Sequence, residues 1–179
     1  RVKNLAPEAM AGMDAQRFKA LPPEAMAGFK GDQFGNLPPE AMAAMDAQRF
    51  EQLPEDAFGG FKPEQMRVLP PELMGGFDAN RVKNLAPEAM AGMDAQRFGA
   101  LPPEAMAGFQ PDQMRELPPE LMGGFDADRV KNLAPTAMAG MDAQRFGALP
   151  PEAMAGFKGD QFANLPPAAM AAMDAQRFG

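Results

Sequence analysis

The sequence predicts an all-α fold, a thin α-solenoid of about eleven 16-residue coils, each made of two short helices. Three observations predict it. An octad pattern runs from Leu5 to Gly179 without insertion or deletion, and large apolar residues recur at two fixed places in it. Proline or aspartate also stands where each copy would start a helix.

Cut at Leu5, the chain reads LAPEAMAG, MDAQRFKA, LPPEAMAG, FKGDQFGN, LPPEAMAA, MDAQRFEQ and onward, so two octad types alternate and the sequence unit is an odd octad plus an even one. Odd octads open with leucine (Leu5, Leu21, Leu37), even octads with Met or Phe (Met13, Phe29, Met45). Position 6 is also apolar, and all 17 Met and 14 Phe of the chain fall at position 1 or 6. The segment from Arg81 returns from Arg129, six octads later, and matches the segment from Arg1, ten octads earlier. Whole two-octad units have therefore been duplicated, and residues 1–179 read as one continuous array.

Each octad carries its own start signals. Position 2 of the even type is usually aspartate (Asp14, Asp46, Asp78, Asp94, Asp126, Asp142, Asp174), a side chain that accepts from the free amides of a helix start. Position 3 of the odd type is proline in nearly every copy, suited to a first helical residue whose amide has no partner. Position 4 is mostly acidic or Gln, favourable at the positive end of the helix dipole. Gly or Asn often closes the octad (Gly12, Gly28, Asn36, Asn84), which predicts a C-cap. Ala44, Gln52 and Val68 at the same place show that a left-handed residue is not obligatory. Proline forces the residue before it out of the α region, so the octads cannot fuse into one long helix. Strands are excluded because period-2 alternation is absent and proline would break the ladders.

Two buried side chains cannot offset the entropy of ordering a whole octad of backbone, so an octad needs stacked neighbours. Two octads per coil give one wall of odd and one of even octads, in a rod roughly 100 Å long at about 9 Å per coil. Three octads per coil is the rival geometry, and it would mix both types in every wall. Val2 and Phe178 are ordinary core-type residues at the extremities. The array therefore reads as a slice of a longer one, or as one whose ends stack on other copies.

Composition narrows the function. With no Ser, Cys, His or Tyr, the nucleophiles and tunable bases of most catalysis are missing, which predicts no enzyme and no cofactor. A net charge of -7 disfavours nucleic acid, and no run approaches a membrane span, which predicts no membrane insertion. The pairs Met10/Met13, Met42/Met45, Met90/Met93, Met138/Met141 and Met170/Met173 put two thioethers on one helix face, with Cu(I) binding as a remote alternative function. Phe replaces the second of them in Met26/Phe29 and Met74/Phe77, which favours packing instead.

Arg17, Arg49, Arg81, Arg97, Arg129, Arg145 and Arg177 share octad position 5 with Gln33, Gln65, Gln113 and Gln161. Stacked in one wall they predict a polar stripe, with a Glu stripe (Glu8, Glu24, Glu40, Glu72) on the other. Such a stripe is either a solvated surface or a docking surface for a partner protein.

The octads resemble the LTPEQ-type short-helix repeats of large secreted or surface-associated bacterial proteins, through Leu-Pro-Pro-Glu-Ala-Met and Phe61-Lys62-Pro63-Glu64-Gln65-Met66. Pro or Asp stands here where that pattern has a capping threonine. The resemblance implies a structural segment of a longer exported protein and carries over no site residue. The expected role is a spacer, scaffold or filament subunit, extracellular or at a cell surface, with itself or another protein as partner.

Overall fold

The computed structural model describes residues 2–173, and among them every regular element is a short helix. Even octads are α-helical, as in Ala15–Ala20, Ala79–Asn84 and Ala95–Ala100. Their position-6 amide donates to the carbonyl of position 2, as Phe98 does to Asp94 at 2.9 Å. Most odd octads instead form short 3₁₀ helices starting at proline, such as Pro7–Gly12, Pro71–Gly76 and Pro103–Gly108. There the position-5 amide donates one residue short of the α pattern, as Ala105 does to Pro102 at 3.0 Å. Pro39–Met42, Glu55–Phe58 and Pro167–Met170 are single α turns.

The predicted N-caps form. The carboxylates of Asp14, Asp46, Asp78, Asp94, Asp126 and Asp142 each accept from the amide three positions on, at 2.7 to 2.9 Å. Asp174, Arg177 and Phe178 lie outside the described residues. The C-cap expectation is corrected, because no residue among those described has a positive φ. The chain leaves its longer helices through an extended residue at position 1, as at Leu101 (φ −65°, ψ 133°), whose amide donates to Phe98.

The elements stack as a short-helix solenoid, and the coil holds three octads rather than two. Pro63–Val68 packs on Pro87–Gly92, which packs on Pro111–Glu116, each step being three octads. The same spacing relates Pro71–Gly76 to Ala95–Ala100 and Ala79–Asn84 to Pro103–Gly108. The rod therefore has three walls and about seven coils over the described residues, or about 65 Å of length at 9 Å per coil.

Odd and even octads alternate along each wall, and this alternation is what makes the walls fit. On two walls the closing glycine of an odd octad rests against the third residue of the even octad below. A Cβ on Gly60, Gly92, Gly108, Gly140 or Gly156 would lie 1.8 to 2.1 Å from the carbonyl oxygen of Gly31, Pro63, Ala79, Pro111 or Ala127. Glycine is required there for close approach, with ordinary dihedrals. Because a two-octad repeat and a three-octad coil first coincide after six octads, sequence and coil return to register every two coils. That is the spacing at which the Arg81 segment repeats.

Positions 1 and 6, joined by position 5 of the odd octads (Ala41, Leu73, Ala105, Leu121), fill one continuous core from Val2 to Ala169. Phe rings of successive coils meet inside it: Phe50 and Phe77 have centroids 5.1 Å apart, Phe98 and Phe125 4.9 Å. The accessible surface is 8287 Å², close to the roughly 8,400 Å² of a compact globular protein of 19.1 kDa. Three walls thus enclose a filled interior, where two would have made a thin ribbon. Coils depend on each other for burial: Leu5, with no full coil beneath it among the described residues, is 44% exposed, whereas Leu69 and Leu117 at the same octad position are 0% exposed.

Candidate functional site

The six described arginines of position 5 do not form one stripe. Positions two octads apart in a three-octad coil advance two walls at each step, so Arg49, Arg97 and Arg145 share one wall, Arg81 and Arg129 a second, and Arg17 lies on the third. Glu8, Glu24, Glu40 and Glu72 are likewise spread over all three walls, exposed in the first turns of their helices.

Past the first coil, the arginines point into the joint between coils. Arg49 Nη2 donates to the carbonyls of Lys19 (2.6 Å) and Leu21 (2.9 Å), and Arg129 Nη2 to those of Gly99 (2.8 Å) and Leu101 (3.3 Å). Arg97 Nε donates to Leu69 O at 2.8 Å, and Arg145 Nε to Leu117 O at 3.0 Å. Arg81 reaches Glu51 O at 3.2 Å and lies over the Phe50 ring, 5.4 Å from its centroid. Each target is the opening leucine of the octad three back, or the residue two before that leucine. These carbonyls sit where a helix ends and have no intrahelical partner. Each of Arg49, Arg97, Arg129 and Arg145 also pairs with the aspartate that caps its own helix. Their side chains retain only 10 to 14% of their exposure, against 71% for Arg17.

The four glutamines serve the same joint and are buried outright. The carboxamide of Gln65 donates to Phe34 O and Leu37 O, both at 2.8 Å, while its oxygen accepts from the amide of Lys62 at 2.9 Å. Gln113 spans Val82 O (2.5 Å), Leu85 O (2.8 Å) and the amide of Gln110 (2.8 Å). Gln33 and Gln161 repeat the arrangement. Every hydrogen of the –NH₂ group and the carbonyl is used. Sequence reasoning placed these glutamines with the arginines as surface polar residues. The signal for a buried role was there at position 2, where Gln octads carry Lys or Gln in place of the capping Asp. The glutamine itself must then serve that amide.

Most members of the methionine pairs belong to the interior. Met42, Met45, Met90, Met93, Met138 and Met141 are all buried in the same cluster as the phenylalanines, and the first member of the last pair, Met170, is 41% exposed. A cavity of about 550 Å³ opens at one edge between Lys83–Glu88 and Gln110–Gln113, with Lys83, Glu88 and Asp112 among its charged lining. Among the described residues no three of His, Cys, Asp and Glu are placed to hold a metal ion, and no helix is long and apolar enough to cross a membrane.

Comparison with known proteins adds no assignment: no family model matches the chain, and no curated protein is similar to it. The site the geometry defines is a ladder of polar staples, repeated from coil to coil.

Proposed function

We propose that this array is a structural segment, a non-enzymatic spacer or scaffold whose length is set by the number of coils. The observation that carries the reading is where the chain spends its polar side chains. The Arg and Gln of position 5, its strongest candidates for recognition, bond one coil to the next. What remains outward is solvated charge of both signs, with exposed Lys beside Glu on all three walls. A continuous core built by three-octad stacking along the whole described array is the construction of a solenoid whose stability adds up coil by coil.

The partner most compatible with the end coils is more of the same. Leu5 and Met170 are large apolar side chains exposed at the first and last described coils, at positions that become buried wherever another coil covers them. A further coil of the same kind, in the chain or on a second copy, would cover them, and stacking between copies would extend a filament. Location outside the cell or at its surface follows from the resemblance to exported octad repeats and is part of the same proposal.

Small-angle scattering on chains carrying one or two extra six-octad blocks tests it. The spacer reading expects the long dimension to grow by about 18 Å per block at constant cross-section. A particle that thickens instead, or whose length is unchanged, would refute it. Sedimentation over a range of concentrations reads the filament arm, in which particle length rises with concentration.

A further inference from the structure

The residue that closes an even octad and the staple that lands on it from the next coil vary together. Asn closes five octads, and for the four whose matching position lies within residues 1–179 (Asn4, Asn36, Asn84, Asn132; Asn164 is the fifth), position 5 of the fourth octad onward is Gln33, Gln65, Gln113 and Gln161. Where Ala, Gln, Val or Glu closes the octad (Ala20, Gln52, Val68, Ala100, Glu116), the matching position is Arg in every case. Duplication copies such pairs together, and the bonds show what each pairing does.

A closing asparagine folds its carboxamide back on its own helix: Asn36 donates to Asp32 O, Asn84 to Asn80 O and Asn132 to Asp128 O, each at 2.8 Å. The glutamine above such a corner bonds deep in it, to the carbonyl two before the asparagine and to that of the leucine after it. Above four of the five octads closed by another residue, the guanidinium bonds one residue farther out, at the carbonyl directly before the closing residue (Lys19, Glu51, Gly99 and Arg115), while Arg97, above Val68, reaches only the leucine carbonyl after it. An asparagine carboxamide and a guanidinium would therefore meet at the same rim. The two staples also differ in what their own octad supplies. Arg has a capping aspartate as counter-ion, whereas Gln is neutral and satisfies itself on the amide of position 2.

We infer that closing residue and staple are a matched recognition pair by which each coil selects the coil that lies on it: Asn with Gln, other closing residues with Arg. The core separates odd octads from even ones by the opening leucine, but it does not separate Gln octads from Arg octads, since Phe stands at position 1 or 6 in both (Phe29 and Phe34, Phe77 and Phe98). The pairing distinguishes neighbours that the core sees as equal, and so fixes register. This holds whether or not the array serves as a spacer.

The test is a double-mutant cycle in the full chain: Ala100→Asn, Arg129→Gln, and the two together, followed by thermal unfolding. Ala100 is exposed, so its replacement does not disturb the core. Each single change is expected to lower the midpoint by about 3–8 °C, and the pair to recover most of that loss. Ala20→Asn with Arg49→Gln, at another corner, should behave alike. A shift of the pair equal to the sum of the singles would overturn the inference, as would an Ala100→Asn change that is silent while Arg129 is present.

Discussion

At the residue scale, two glycines of the same helical array have opposite roles. Gly108 lies on the carbonyl of Ala79, where a Cβ would be 1.9 Å from the oxygen, and two backbones would have to separate to admit it. Gly108→Ala should cost about 1–3 kcal/mol or more in denaturant unfolding. Gly99 lies within Ala95–Ala100 with nothing within 4 Å of its Cβ direction, so Gly99→Ala should stabilise by about 0.5–1 kcal/mol. Equal effects at the two sites would contradict the three-octad stacking that brings Gly108 onto Ala79. Arginine gives a second contrast. Arg97→Ala leaves the Leu69 carbonyl without its donor and should destabilise by about 1–3 kcal/mol. Arg17→Ala, whose side chain is 71% exposed, should stay within about 0.5 kcal/mol. Were these arginines a docking surface only, both changes would leave unfolding alone.

At the element scale, most of the octad was legible in the sequence. Asp at position 2, Pro at position 3 and the paired apolar positions act within one or two helical turns, and each does in the structure what its local chemistry implies. The 3₁₀ geometry of most odd octads was not legible, since proline at the start suits either helix. The role of the closing glycine was misread because a C-cap and a close approach leave the same residue in the sequence, and only the coil below separates them. Interchange of Met and Phe predicts a core tolerant of shape at constant volume. Met106→Leu should change stability by less than about 1.5 kcal/mol, whereas Phe98→Ala should cost about 3–5 kcal/mol, both read by denaturant titration.

At the scale of the whole molecule, the coil was the part the sequence concealed. A two-octad repeat suggests a two-octad turn of the solenoid, yet how many octads close a turn is decided by contacts three octads apart. The staples at Gln65 and Arg97 are such contacts, and nothing local marks their partners. The six-octad duplication was a clue in plain view, being the first length common to both periods. It yields a counterintuitive expectation. Deleting residues 85–132 leaves Gln161 above Asn84 and Arg145 above Val68, matched as before. Deleting only 85–100 puts Gln113 above Val68 and Arg129 above Asn84, both mismatched. The shorter of the two products should therefore have the higher unfolding midpoint.

The three-octad coil itself is open to one direct measurement, helped by a chain without cysteine. Nitroxide labels at Gln96→Cys and Glu120→Cys, both exposed and three octads apart, should sit on adjacent helices of one wall. Their separation should be on the order of 10 Å and visible as strong dipolar broadening. Labels at Gln96→Cys and Asp112→Cys, two octads apart, should lie on different walls and show little. Strong broadening in the 96/112 pair and little in the 96/120 pair would mean a two-octad coil, and would contradict the account.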